Sequence, residues 1–313
     1  MNETLQPFQN WLAAQDRRPR TVQAYTADLS HFARWFTQTN GQPLAPEILT
    51  PTDVREYRQW MLTTQGLAPA TVNRHIAALR AYTTWARSAG LIAGTPTNGI
   101  KFVAEQRSPP HWLDRQQQAA LKRALERMLE YAELKARLAE LEDRPAPPEL
   151  TWARRDVTLV QLMLNTGLRV EEVTTLNVED VELRDRSGRV TVMGKGNKQR
   201  AVPLNAEARA ALSAWLKARP EKDAAAVFVG RQGNRLGKRA IQRVVSRIGE
   251  AAGIDDLTPH VLRHSFAKNL VDAGVGLEKV ADLMGHSRLD TTRIYTRPGR
   301  QDLEQAVEAV VAR

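Results

Sequence analysis

The chain has 313 residues and a mass of 35.1 kDa, enough for about two domains of ~150 residues, each with its own core. It has no cysteine, which excludes disulfides, thiolate catalysis and cysteine-ligated zinc and fits a reducing, cytoplasmic setting. Its mean hydropathy of −0.44, without apolar runs near the ~18 residues a membrane span needs, predicts no membrane partner, while 45 Lys and Arg against 35 Asp and Glu give +10 and a pI near 10.1, the balance of a nucleic-acid partner or of a merely basic surface.

The opening MNETLQPFQNWL lacks the basic-then-apolar order of a secretory signal. Residues 1 to about 105 read as helical. Phe8, Trp11 and Leu12 share one face, and Val22, Tyr25, Leu29, Phe32, Trp35 and Phe36 recur at three- and four-residue steps. Asn40-Gly41 and Pro43 to Pro46 break the chain. Thr52 is placed to cap a helix burying Val54, Tyr57, Trp60 and Met61. A further helix opens at Pro69, carries Val72, Ile76, Leu79, Tyr82 and Trp85, and ends at Gly90. This makes a four-helix unit. Its basic residues, among them Arg20, Arg74 and Arg80, read either as a solvated face or as phosphate contacts.

Gly94 to about Pro110 reads as a linker, with a domain boundary near Glu105. Leu113 to Glu142 is a long helical pattern in which Leu121, Leu125, Met128, Ala132, Leu138 and Leu141 form an imperfect apolar stripe, stopped by Pro145, Pro147 and Pro148. Val157 to Asn165 predicts a buried helix ending at Gly167. Arg189–Met193 and Arg200–Leu204 alternate like strands around a hairpin tip, Gly194 to Gln199. Asn205–Lys217 returns to helix, Val227–Val229 reads as a short strand, and helices follow to the end.

Four stretches stand out. In Thr166-Gly167-Leu168-Arg169-Val170-Glu171-Glu172, an arginine after a glycine break has an acid three residues on; this also describes an ordinary helix start with a surface ion pair. In the hairpin tip, Lys195 lies between glycines that permit close approach to a ligand backbone, with Lys198 beside it; a solvated loop looks the same. In Thr258-Pro259-His260-Val261-Leu262-Arg263-His264, Thr258 caps and Pro259 opens a helix, so His260 and Arg263 share the face of a helix start, where free amides favour anions. The other reading is a satisfied buried histidine and a surface arginine. In Leu283-Met284-Gly285-His286-Ser287 followed by Asp290 to Thr296, Gly285 is a helix C-terminal cap that leaves His286 exposed, and Tyr295 reads alone as packing.

Taken together the four match the tyrosine recombinase (phage integrase) family in type, order and approximate spacing. The chain resembles Xer-like recombinases in TGLRVEE, GKGNKQRAVPL, TPHVLRHSFA and LMGHSRLDTTRIYT, and its segments RTVQAYTADLSHFARWF and ATVNRHIAALRAYTTWA resemble the family's core-binding domain. The resemblance implies a mainly α fold with a small β-sheet: a SAM-like helical core-binding domain over residues 1–105 and an α+β catalytic domain over 106–313. It implies a catalytic set of Arg169, Lys195, His260, Arg263, His286 and Tyr295, with Glu172 supporting, and DNA contacts from Arg20, Arg74, Arg80 and Lys198. Two departures stand out, the lengthened stretch from about Leu125 to Trp152 and Ala267-Lys268-Asn269 in place of the more usual small-Thr-His.

The implied chemistry is attack of the Tyr295 hydroxyl on a DNA phosphodiester, giving a covalent 3′-phosphotyrosyl intermediate. Arg169 and Arg263 neutralise the non-bridging oxygens. His260 and His286 donate, with His260 also able to take the tyrosine proton, and Lys195 is the general acid. No metal or cofactor is expected: no acids stand at metal-ligand spacing and no glycine loop ends in Lys-Ser/Thr. The expected partners are double-stranded target sites and a homo-tetramer, or a hetero-tetramer with a related recombinase, on DNA. The amphipathic segment Asp302–Val311 is expected to dock on a neighbouring protomer or to pack on its own domain. Two rival readings are a type IB topoisomerase-like enzyme and an architectural DNA-binding protein that does not cut.

Overall fold

Proline stands at or next to the first position of each of the first four helices: α1 (Gln6–Ala14), α2 (Pro19–Asn40), α3 (Pro51–Thr63) and α4 (Pro69–Ser88). The first turn has no use for the amide that proline lacks, and its fixed φ suits a helix start. The computed structural model describes residues 5–15, 19–105, 110–145, 147–194, 199–220, 225–285 and 292–296. The chain divides into two compact units, residues 1–108 and 109–313.

In the first unit, Phe8, Leu12, Leu29, Phe32, Phe36, Tyr57, Ile76, Leu79 and Tyr82 are almost fully buried in one core. The helical spacing of these side chains is what commits the four helices to each other. The cap of α3 differs from expectation. Thr50, rather than Thr52, is the N-cap: its hydroxyl accepts from the Asp53 amide at 3.3 Å, and the Asp53 carboxylate accepts from the Thr50 amide at 2.8 Å. Thr52 already lies inside the helix, because Pro51 occupies its first position. A polar chain crosses this core. The Tyr57 hydroxyl lies 2.6 Å from His31 Nδ1 and 2.9 Å from His75 Nδ1, and His75 Nε2 lies 3.3 Å from Asp28. Burial, with His31 and Arg74 nearby, pushes His75 down to about 4, so the ring is neutral at pH 7.

The second unit is built around α6 (Glu149–Thr166), which contacts α5 (Arg115–Leu141), α8 (Ala206–Ala218), α9 (Lys238–Ala251) and α10 (Pro259–Asp272). Val157, Leu159, Val160, Leu162 and Met163 are buried on it, as suits a helix covered on several sides. The unit also holds an antiparallel sheet in the order β1 (Val181–Leu183), β2 (Gly188–Met193), β3 (Gln199–Pro203). Val190 and Val202 face each other in register, and these two valines with Val192 point into the core. Three-residue β1 is too short to show an alternation and is legible only in the fold. Val227–Val229 is not a strand. Its segment makes single bridges, Asn177 to Ala226 and Val229 to Arg235, because its neighbour turns at once into a 3-10 helix, Val178–Asp180.

The apolar stripe expected along α5 splits in two. Leu121, Leu125 and Ala132 are buried, whereas Leu138 and Leu141 are 47% and 83% exposed. Among the described residues no helix is long and apolar enough to cross a membrane. The segment Asp302–Val311 lies outside the described residues.

Candidate active site

Helix α6 delivers the first site residue through a turn that requires glycine. Gly167 ends the helix with φ +61°, and a Cβ there would lie 2.4 Å from Cδ1 of Phe266 on α10. The close approach of α6 and α10 therefore depends on a bare backbone at this point. Leu168 is fully buried and pins the chain, so Arg169 emerges as the N-cap of α7 (Val170–Thr175). One turn on, Glu172 reaches back to that start. Its carboxylate accepts from the Arg169 amide at 2.7 Å and from the Arg169 guanidinium at 2.9 Å.

Helix α10 supplies the second arginine. Thr258 is the N-cap, accepting from the Val261 amide at 3.2 Å, and Pro259 takes the first helical position, as expected. His260 is exposed, whereas Arg263, one turn further in, is only 5% exposed. Arg263 donates to the carbonyls of Gly167 and Met284. Burial lowers its pKa to about 10, with Arg169 adding to the effect, and the group stays charged at neutral pH.

The end of α11 (Leu277–Met284) is where the arginines converge. Three consecutive carbonyls accept from three different guanidinium groups. Leu283 accepts from Arg200 at 3.2 Å, Met284 from Arg263 at 2.5 Å, and Gly285 from Arg169 at 3.0 Å. A helix C-terminus leaves such carbonyls without intrahelical partners and concentrates negative partial charge there, so cations are its natural partners. Gly285 closes α11 with φ +60° and gives Arg200 room, since a Cβ there would lie 2.8 Å from its Nη1.

Arg200 is the member that sequence reasoning missed. It makes two parallel hydrogen bonds to Glu172, at 2.7 and 2.8 Å, the strongest geometry available to that pair. The missed signal was the strand period: Arg200 stands two residues before buried Val202 on β3 and so faces the core side. Burial by itself would raise the Glu172 carboxyl. The hydrogen bonds from Arg200 and Arg169 outweigh it and hold the group below the ordinary carboxylate value.

Tyr295 sits on a 3-10 turn, Arg293–Thr296, and is 1% exposed against Ala267, Val280 and Met284. Its hydroxyl lies 2.7 Å from Nδ1 of His264. Burial raises the tyrosine pKa, with Arg263 nearby opposing. His264 was also missed, although it directly follows Arg263. Burial, then His260, Arg263 and His111, push its pKa down to about 4, which leaves a neutral ring beside the tyrosine.

Arg169, Glu172, Arg263 and Tyr295 thus come together from three separate segments. Lys195, Lys198 and His286 lie outside the described residues. Of the basic candidates in the first unit, Arg20 is exposed in the first turn of α2, and Arg74 pairs with buried Asp28 at 2.9 Å. Arg80 is half-buried, donating to the Ile100 carbonyl and covering the Phe102 ring at 4.1 Å.

Comparison with known proteins covers nearly the whole chain. A family model described as "Phage integrase family" matches residues 125–301, and one described as "Phage integrase, N-terminal SAM-like domain" matches residues 5–90. The tyrosine recombinase XerC of Corynebacterium efficiens is 33% identical over 311 residues, covering 98% of this chain and 90% of the relative. The XerC of Pseudomonas fluorescens is 36% identical over 289 residues, covering 91% of this chain and 87% of the relative. Among solved structures, the XerH site-specific recombinase bound to a palindromic difH substrate superposes with a TM-score of 0.71 at 24% identity, covering 91% of this chain and 78% of that one. The Tn1549 transposon integrase in complex with circular intermediate DNA superposes with a TM-score of 0.68 at 17% identity, covering 97% and 98%. These two likenesses establish the shared fold.

Proposed function

The chain belongs to the phage integrase family and is a tyrosine-type site-specific DNA recombinase, and on that premise we propose that Tyr295 is its nucleophile and Arg169 and Arg263 its phosphate clamp. The observation that carries this reading is the convergence of two arginines, an acid and a buried tyrosine, drawn from separate segments, around the end of α11.

The Tyr295 oxygen attacks phosphorus as its proton passes to His260, and the bond to the 5′ oxygen breaks, leaving a 3′-phosphotyrosyl ester. Arg169 and Arg263 face the non-bridging oxygens, where charge accumulates in the transition state, and fixed donors stabilise that state selectively. Glu172 and Arg200 are positioning residues, and they hold Arg169 through the contacts described above. His260, at the exposed start of α10, and His286 add donors to the phosphate. Lys195 supplies the proton to the departing 5′ oxygen. The Tyr295 hydroxyl lies 2.7 Å from Nδ1 of His264, and it must leave that partner to reach phosphorus. The ester conserves the bond energy, and attack by a 5′ hydroxyl from another strand reverses the step.

The basic charge of +10 supports a DNA partner held largely through phosphates, with Arg20, Arg74 and Lys198 as contacts and Arg80 already engaged within its own unit. Exchange between two duplexes needs four cuts, hence four active sites and a tetramer on DNA, of this chain alone or with a related recombinase. As an enzyme of chromosomal or mobile DNA it works in the cytoplasm. The reading also takes residues 1–105 as the core-binding domain and 106–313 as the catalytic one.

The test is covalent trapping. Bound duplexes selected from fragments of the source genome are nicked near the bound site and incubated with wild type or Tyr295→Phe. A protein–DNA adduct that survives denaturing gels is expected with wild type only. An adduct that persists in Tyr295→Phe names another nucleophile, and binding without any adduct overturns the cleavage assignment for this chain acting alone.

A further inference from the structure

Helix α5 carries two apolar faces. One, with Leu121, Leu125, Ala132 and Ala139, is buried in the second unit. The other carries Tyr131, Leu134, Leu138 and Leu141, which are 62%, 57%, 47% and 83% exposed. Half of the exposed large hydrophobic residues among those described fall within this one stretch of helix. Isolated exposed leucines are ordinary, but a contiguous stripe of them marks an interaction surface.

The spacing of the stripe defines its use. Steps of three, four and three residues are those of successive a and d positions in a coiled coil, with Tyr131 and Leu138 at a, Leu134 and Leu141 at d. Ala132 and Ala139 then fall at b, on the opposite side, where they are buried against the body of the unit. The helix can therefore pack on its own domain and present the seam outward at once.

The flanking charges point to the occupant. In this register Glu130 and Arg137 take the g positions, while Lys135 and Glu142, the latter the C-cap of the helix and also paired with Arg144, take the e positions; all four are exposed. Against an identical helix running parallel, Glu130 meets Lys135 of the second copy and Arg137 meets Glu142. Against one running antiparallel, Glu130 meets Arg137 and Lys135 meets Glu142. Every pairing joins opposite charges, so the edge of the seam is complementary to itself, as a two-fold interface demands. We infer that the exposed stripe of α5 is a self-association surface, covered by the same stripe of a second copy of this chain. It is independent of the catalytic assignment and of any docking by residues 302–311. The seam is only two heptads long, so the association is weak in free protein and favoured where DNA holds copies together.

The test uses the full chain in sedimentation velocity, from low to high micromolar concentration. Wild type is expected to shift reversibly from monomer to dimer, and Leu134→Glu/Leu138→Glu to remain monomeric with unchanged circular dichroism and melting. Glu130→Lys alone is expected to weaken the dimer several-fold. Restoration by Glu130→Lys/Lys135→Glu reports a parallel pair, and restoration by Glu130→Lys/Arg137→Glu an antiparallel one; either supports the inference. A wild type monomeric throughout overturns it, as does a dimer that survives Leu134→Glu/Leu138→Glu, which would assign the contact to another surface. Failure of both double swaps to restore the dimer overturns the self-complementary pairing.

Discussion

The hydroxyl of Tyr295 and Nδ1 of His264 lie 2.7 Å apart, and each is the other's hydrogen-bond partner in the interior of the second unit. The histidine is neutral, so its Nδ1 and the hydroxyl share a single hydrogen bond whose donor is set by the ring tautomer. A buried hydroxyl without a partner is costly, whereas removing both members of a buried pair is far less so.

That asymmetry gives a clean cycle. His264→Phe retains ring volume but removes the hydroxyl's partner, and is expected to destabilise the unit by about 1–3 kcal/mol. Adding Tyr295→Phe in the same background is expected to recover much of that loss. Urea unfolding of the four proteins measures it, and equal losses for the single and double variants would mean that the hydrogen bond contributes nothing.

Among the described residues, Glu172 is the single carboxylate among three guanidinium groups, Arg169, Arg200 and Arg263. Glu172→Ala leaves the 13%-exposed Arg200 without its counter-charge and is expected to cost about 3–5 kcal/mol. Glu172→Gln retains the shape and is expected to cost less. Since the folded carboxyl titrates below its ordinary value, its contribution is complete above the unfolded carboxylate range and is lost as pH falls through the folded pKa.

Arg200 acts through its neighbours, so its loss should separate binding from chemistry. Arg200→Met is expected to leave the salt dependence of DNA binding nearly unchanged and to slow adduct formation by roughly 10–100-fold, the scale of a small misplacement of catalytic groups. Arg200→Lys, which keeps the charge but not the paired geometry, should fall between wild type and Arg200→Met. Single-turnover trapping on a nicked site measures the rate, and equal rates in all three would remove Arg200 from the site.

Acid should loosen both units over the same range. His75 in the first and His264 in the second each titrate at about 4 in the folded state, below the ~6.5 of a free histidine. The folded protein therefore binds fewer protons than the unfolded one. Stability from each ring is complete above pH ~6.5 and drains away as pH falls toward the folded value, by roughly 3 kcal/mol at most for His75, which is 6% exposed. Melting curves between pH 7 and 4 report this, and His75→Gln should flatten the profile of the first unit alone.

The helices were legible because their signals are local. Pro69 and Pro259 open helices and Gly167 and Gly285 close them through backbone constraints that no neighbour alters. Thr52 and Val227–Val229 misled for the opposite reason. A proline one residue earlier claimed the first turn of α3, and strand-forming residues make a strand only where a second segment stays extended beside them.

By itself, the sequence determined the family and the mainly helical fold and singled out a candidate nucleophile and candidate arginines, because motifs and periodicity are written in chain order. Only the tertiary structure decided which charges meet. Arg200 joins Glu172 and Leu283, His264 takes the Tyr295 hydroxyl, and three arginines divide three successive carbonyls at the end of α11. It also decided that one side of α5 is buried and the other open. Hydrogen bonds and burial depend on distances between segments far apart in the chain, and those distances exist only once the cores have packed.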